Sequence, residues 1–406
     1  MPDRNGKIFY TSITSLSHIS KESRKATNTF TFVHEEGSQK FIYEYRFGFA
    51  IDEIGGKEAP VLCTEEFWYS QYDNENKKWS TKKKLFSYDR KNQKLVIGTA
   101  KGTARLNPLA IERLLAFAYV KPTSSILFLT DSDKVLAQLV HDDDVKLLIQ
   151  IRDALRDFAW DALFIMDNGS IGEVSGHILL INSQINDGRK KLRGRFPIVY
   201  REENQRKTSI PTWHYPYVEK VFGQISIVMD VIIPGFRLEA SNPETIVERD
   251  GTELTLFDVI CRRKEHTLQL KYESEGIKRI LSVLSSLIFY CNNQFSCVMI
   301  DEMDAGVYEH LLGELLVALE DMGRGQLLFT AHNLRPLERL QKKHLVFTTM
   351  DPFKRFIRFH GIKETNNLRD IYLREVLLGI NDKTPLNTPV KASKLRGALL
   401  KAGRKE

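Results

Sequence analysis

Two adjacent carboxylates, Asp301 and Glu302, follow the apolar run Cys297, Val298, Met299 and Ile300. A short apolar strand that ends in paired acids can present both at a sheet edge. One then holds a Mg²⁺-bound water, and the other acts as general base toward an attacking water. In this reading Asp301 is the metal-side acid and Glu302 the base, the arrangement called Walker B. A buried strand ending in two solvated acids is also a common structural feature, so the pair takes its meaning from what accompanies it.

Residues 326–333 read as a second buried strand, with Leu327, Leu328 and Phe329 leading to His332 and Asn333 at its end. Between the two strands Leu311, Leu312, Leu315, Leu316 and Leu319 recur at helical spacing, and Met322-Gly323-Arg324-Gly325 stops the run. Strand, helix, strand in a right-handed crossover puts both strand ends on one edge of a parallel sheet, where α/β folds bind ligands. A lone histidine at a strand end is usually structural. Beside the acid pair it fits a switch that senses a γ-phosphate.

Upstream, Ser274 precedes an apolar helix over residues 280–290, with Leu281, Leu284, Leu287 and Ile288 on one face. Ser274 is a natural N-cap, and an ordinary capped helix accounts for it. Ser274, Gly276 and the free N–H groups of a helix start also form an anion site suited to phosphate. The order of the motifs favours the second reading: Ser274 and Gly276, then Asp301 and Glu302, then Asp304, Ala305 and Gly306, then His332.

Four strings carry a resemblance: Tyr272-Glu273-Ser274-Glu275-Gly276-Ile277-Lys278, Ile300-Asp301-Glu302-Met303-Asp304-Ala305-Gly306, Phe329-Thr330-Ala331-His332-Asn333-Leu334-Arg335-Pro336-Leu337-Glu338, and Asn366-Asn367-Leu368-Arg369-Asp370-Ile371-Tyr372. Through them residues 254–380 resemble the C-terminal half of the ABC-class, AAA-family ATPases of the OLD-like and RecF-like group. The resemblance implies an α/β fold of the P-loop NTPase kind: an ABC-ATPase-like sheet flanked by helices, with an antiparallel β lobe and a helical insertion. It implies ATP and Mg²⁺ as cofactors, Glu302 as catalytic base, His332 as switch and Asp301 on the Mg²⁺ side. Ser274 and Gly276 would belong to the signature motif that meets the γ-phosphate of a partner protomer's ATP. Asp304 would belong to a D-loop across the dimer interface. The implied partner is a second copy or a P-loop-bearing ATPase, and the implied setting is DNA-related work or phage defence. Glu275 departs from the family's Leu-Ser-Gly-Gly and puts a negative charge near the proposed phosphate.

The phosphate-cradling loop Gly-x-x-x-x-Gly-Lys-Ser/Thr does not occur. Gly-Lys is found only at Gly6-Lys7 and Gly56-Lys57, followed by Ile8 and Glu58 instead of a hydroxyl residue. In the family that loop lies near the N-terminus, and a strand, loop and part of a helix, roughly 30 residues, would be needed to supply it. A truncated product, a split ATPase and a fold retained without catalysis all fit. Truncation is favoured, because the downstream acids, which a decayed enzyme would lose first, remain. This chain alone is expected to hydrolyse ATP slowly or not at all.

With 406 residues, 42% hydrophobic and 27% charged, the chain can build one large or two ordinary domains. No apolar run approaches a membrane span and no secretion signal is evident, so a cytoplasmic location without a membrane partner is expected. Cys63, Cys261, Cys291 and Cys297 lack metal-ligand spacing and read as reduced thiols, mostly buried. The net charge of +7 and the basic clusters at 82–84, 189–195, 262–264 and 396–405 permit a DNA partner without requiring one.

The expected division is as follows. Residues 1–28 are irregular. Residues 29–105 form an antiparallel lobe whose alternating Tyr43, Tyr45, Phe47 and Phe49 are core. Residues 106–235 form a mainly helical insertion, with an exposed basic loop at 186–208 and a helix at 217–232. Residues 236–380 are the ATPase lobe, and 381–406 a basic helix or tail without chemistry of its own. Sustained heptads are absent, which argues against a long coiled-coil arm.

Overall fold

The structure, a computed structural model, describes residues 7–15, 25–36, 39–54, 56–98, 106–139, 142–166, 178–186, 191–199, 207–348, 356–358, 367–378 and 392–402. It is a mixed α/β fold with antiparallel sheets and a small parallel one, divided into two units. Residues 1–163 with 295–297 form the first, and 164–294 with 298–406 the second.

The first unit is built on an antiparallel sheet of β1 (Lys7–Ser15), β2 (Lys25–Glu36), β3 (Gln39–Ile54), β4 (Lys57–Asp73), β5 (Lys78–Trp79), β6 (Lys83–Asp89) and β7 (Lys94–Ile97). Strand order is β1-β2-β3-β4-β6-β7, with β5 on β4. The long strands arise from period-2 alternation, which buries Tyr43 and Phe67 on adjacent strands. Tyr45 and Phe67 stack at 5.5 Å, and Tyr45 and Phe47 lie 5.1 Å apart, so the aromatic alternation serves the core. The stretch expected to be irregular, 1–28, instead contains β1 and the start of β2. Register shifts between Tyr10 and Ser12 and between Ile13 and Ser15 break the alternation that would have revealed β1.

Helices α1 (Pro108–Val120), α2 (Thr130–Gln138) and α3 (Asp143–Asp161) follow. Asn107 caps α1 by accepting from the Leu109 N–H, and Asp142 caps α3 through the N–H groups of Asp144 and Val145. A fully buried acid ties the segment before α2 to the sheet. Glu65 on β4 accepts from Tyr45 Oη at 2.7 Å, from the Ser125 hydroxyl, and from the Ile126 N–H at 3.0 Å.

The chain then passes through β8 (Leu163–Met166), the hairpin of β9 (Ile178–Asn186) and β10 (Lys191–Val199), β11 (Thr208–Pro211), α4 (Tyr215–Ile232), β12 (Phe236–Val247), β13 (Glu253–Arg263) and β14 (His266–Gln269). The basic stretch expected to be a loop at 186–208 is thus partly strand, paired from Lys191 opposite Asn186 to Val199 opposite Ile178. Its cations, Lys191, Arg193 and Arg195, alternate with Leu192, Phe196 and Ile198, and total charge had obscured that period. Residues 106–235 are accordingly not one helical insertion, because α1 to α3 belong to the first unit and β9 to α4 to the second.

The rest of the second unit comprises α5 (Glu275–Asn292), β15 (Cys297–Ile300), α6 (Glu309–Met322), β16 (Gln326–Phe329), α7 (Pro336–Arg339), β17 (Phe347–Thr348), β18 (Phe356–Ile357), α8 (Leu368–Leu378) and α9 (Ala392–Ala402). One antiparallel sheet has the order β11-β13-β12, with β14 on β13, and the small parallel sheet has the order β16-β15-β8. Helix α5 is apolar on more than the one face expected. Leu281 and Leu284 join a core with Phe222, Phe236 and Phe257, while Val283 and Leu287 join another with Val298, Ile300 and Leu316. A helix packed on both sides must be apolar nearly all round. Among the described residues no helix is long and apolar enough to cross a membrane.

Candidate active site

The parallel sheet delivers the predicted residues together. Thr330 N–H bonds to Ile300 O at 3.0 Å and Met303 N–H to Thr330 O at 2.9 Å, so the ends of β15 and β16 lie side by side. Asp301 and Glu302 leave one strand, Thr330 to His332 the other. His332 Nε2 stands 3.5 Å from Glu302 Oε1, with the imidazole 85% exposed.

Thr330 joins the candidate site although its place in the sequence suggests no role for it. Its hydroxyl donates to Asp301 Oδ1 at 2.5 Å and accepts from the Glu302 N–H at 2.8 Å. One oxygen of Asp301 is thereby oriented, and the other is left to face solvent or a ligand. A hydroxyl residue following an apolar strand parallel to the acid pair was the available signal.

Glu302 adopts a left-handed backbone with φ of +49°, uncommon for a residue with a side chain. The conformation is held from outside its own strand. Arg279 on α5 donates through Nη2 to the carbonyls of Asp301, at 2.9 Å, and Glu302, at 2.8 Å. Arg279 is 4% exposed, and its Nε and Nη1 have no partner among the described residues. Burial pushes this guanidinium below its ordinary value, while the nearby Glu302, Asp304 and Asp301 pull in the opposite direction.

Asp304 braces the histidine strand within its own chain. Its Oδ2 accepts from the N–H groups of His332, at 3.0 Å, and Asn333, at 2.7 Å, while Oδ1 is buried without a partner among the described residues. Asn333 Oδ1 in turn accepts from the Arg335 N–H at 2.8 Å. The family resemblance implies for Asp304 a role toward a neighbour's nucleotide, whereas this intramolecular one has no local signature in the sequence.

Ser274 caps α5 as expected, accepting from the Ile277 N–H at 3.3 Å. Gly276 lies against Gly306. A Cβ at position 276 would stand 2.7 Å from Gly306 O, and Gly306 itself has φ of +73°. The start of α5 and the loop carrying Asp304 therefore touch backbone to backbone. Glu275 pairs with Lys278 at 2.9 Å, which offsets the negative charge beside the helix start.

The cysteines stand apart from this cluster. Burial, with Glu273 nearby, raises the Cys261 thiol to about 12, and burial raises Cys297 to about 11, so neither is a nucleophile at neutral pH. Among the described residues no group of three or more His, Cys, Asp or Glu could hold a metal ion. No protein-family profile matches the chain, and no curated protein matches it.

Proposed function

We propose that the second unit is the catalytic lobe of an ABC-type, AAA-family ATPase that hydrolyses ATP with Mg²⁺. The observation that carries this reading is the pairing of Glu302 with His332 at the adjacent ends of two parallel strands, Asp301 beside them and the Ser274 helix start braced on the same loop.

The residues present fit the cofactors. Mg²⁺ in such sites takes one or two carboxylates, with waters and phosphate oxygens completing the shell, so a single acid with one free oxygen suffices. Asp301, clamped by Thr330, offers that oxygen. Bound Mg²⁺-ATP would supply the electrophilic phosphorus and neutralise charge on its oxygens. Glu302 takes the proton of the attacking water, and its left-handed backbone, held by Arg279, aims it. His332 donates toward the transferring group. The Ser274 hydroxyl hydrogen is free to donate while its oxygen accepts from Ile277, and with the first N–H groups of α5 it would hold a different anion, at the site opposite the one that Glu302 serves. That anion belongs to a neighbour's nucleotide, so the assembly is a homodimer or a pair with a P-loop-bearing partner. A DNA partner is consistent with the net charge of +7.

A second reading is favoured by one observation: no P-loop sequence occurs in the 406 residues. The chain would then be a non-hydrolysing subunit that docks on an intact ATPase. Turnover separates the two. The chain by itself is expected to be nearly inactive, and supplying a P-loop segment in cis or as a separate chain should restore activity. Glu302→Gln should then lower the rate by on the order of 10²-fold while ATP binding persists, since it removes a base and no phosphate ligand. Near-normal turnover in Glu302→Gln would overturn the assignment. Supplementation that never yields activity would favour the docking subunit.

A further inference from the structure

Helix α9 carries a feature that the proposed ATPase does not use. Residues 391–405 contain six cations (Lys391, Lys394, Arg396, Lys401, Arg404 and Lys405) and no carboxylate. Within α9 Leu395 is 51% and Leu399 66% exposed. At the helical step Leu395, Leu399, Ala398 and Ala402 form one stripe. Arg396 borders that stripe on one side and Lys394 with Lys401 on the other, all three exposed. An apolar stripe flanked on both edges by long cationic side chains lets the leucines sink while the charges reach outward.

The helix also needs a surface. Eleven residues, including Ser393 and Gly397, are too few to hold a helix in water without one. Nucleic acid phosphates would take the cations and leave Leu395 and Leu399 in water. An anionic lipid interface takes both: phosphate and carboxylate headgroups meet the cations, and the boundary below them receives the leucines. We propose that α9 is an interfacial helix that docks this chain reversibly on an anionic lipid surface. It lies along that surface and spans nothing, so the lack of a membrane-crossing helix among the described residues does not bear on it. The proposal is independent of ATP hydrolysis.

Co-sedimentation of the full chain with phosphatidylcholine vesicles, with and without phosphatidylserine, tests it. Binding is expected only with phosphatidylserine and should weaken as salt rises. The pair Leu395→Ser with Leu399→Ser should reduce affinity by about tenfold or more, and so should Lys394→Glu with Lys401→Glu. All four positions are exposed, so the thermal midpoint of each variant should match the parent and confirm that the fold is intact. Three results overturn the proposal. One is no binding to phosphatidylserine vesicles at low salt. Another is binding indifferent to the leucine pair. The third is tight binding to duplex DNA, insensitive to the leucine pair, without vesicle binding, which would make the helix a nucleic-acid contact.

Discussion

At the scale of single residues the proposed site depends on Glu302, whose backbone is unfavourable by itself. A non-glycine residue at positive φ costs of the order of 1 kcal/mol or more, and the surroundings must outweigh it. Arg279 supplies the donors that do so, with little exposure to water. Arg279→Met keeps much of the bulk and leaves two carbonyls without their partner. It should destabilise the protein by about 1–3 kcal/mol in urea unfolding. Glu302→Gly should be neutral or stabilising in the same assay, because glycine is at ease at that φ, although it removes the proposed base. An Arg279→Met variant as stable as the parent would mean that water satisfies those carbonyls and that the clamp is incidental.

At the scale of elements, two glycines are needed for space rather than for a turn. Gly323 ends α6 with an ordinary backbone, yet a Cβ there would fall 1.8 Å from Tyr290 Oη. Gly276 meets backbone, which cannot swing away, while Gly323 meets the Tyr290 side chain first and the backbone Leu319 O at 2.7 Å as well. Gly276→Ala should therefore separate the start of α5 from the loop at Gly306, weaken the Asp304 brace on His332, and lower stability by about 1–3 kcal/mol. Gly323→Ala should require a backbone shift at the end of α6 as well as movement of Tyr290, the second reported by loss of its hydrogen bond to Leu319 O in a crystal structure of the variant.

In the first unit the element-level contact is electrostatic. Burial raises the Glu65 carboxyl above its ordinary 4.5, opposed in part by hydrogen bonds from Ser125, Tyr45 and the N–H groups of Ile126 and Leu127. The folded state holds this proton more tightly than the unfolded chain. Stability contributed here is full below the ordinary carboxyl range and falls as pH rises toward the raised value. Glu65→Gln stays neutral, its carbonyl can accept from Ile126, and its amide can donate to the Tyr45 and Ser125 oxygens. Its stability relative to the parent should therefore grow as pH rises from about 4.5, then level off. Urea midpoints across pH measure that difference, and a difference flat in pH would mean that Glu65 titrates as it does in the unfolded chain.

At the scale of the whole molecule, the proposed site is incomplete in one protomer. With a P-loop segment supplied, ATP and Glu302→Gln should trap a dimer, because the nucleotide is bound between protomers and cannot be cleared. Ser274→Arg should abolish trapping by filling the start of α5 with a bulky side chain, while loss of the cap costs only about 1 kcal/mol. Light scattering with and without ATP reads both. A dimer that forms equally without nucleotide and survives Ser274→Arg would mark a constitutive surface and move the docking-subunit reading ahead.

What the sequence determined by itself was local. The strand leading to Asp301, the helix between the strands, the strand leading toward His332 and the Ser274 cap all follow from periodicity and capping within a few residues. Where that local period was interrupted by bulges, as in β1, or masked by alternating cations, as in β10, the strands were not legible. The tertiary structure alone decided what aims the site. Arg279 reaches carbonyls 22 and 23 residues away, Thr330 meets Asp301 across 29, and Glu65 binds Ile126 across 61. Such bonds leave no pattern in nearby residues, because their partners become neighbours only when separate strands and helices pack. A buried arginine reads in sequence as one more surface charge until the helix that carries it is covered on both sides.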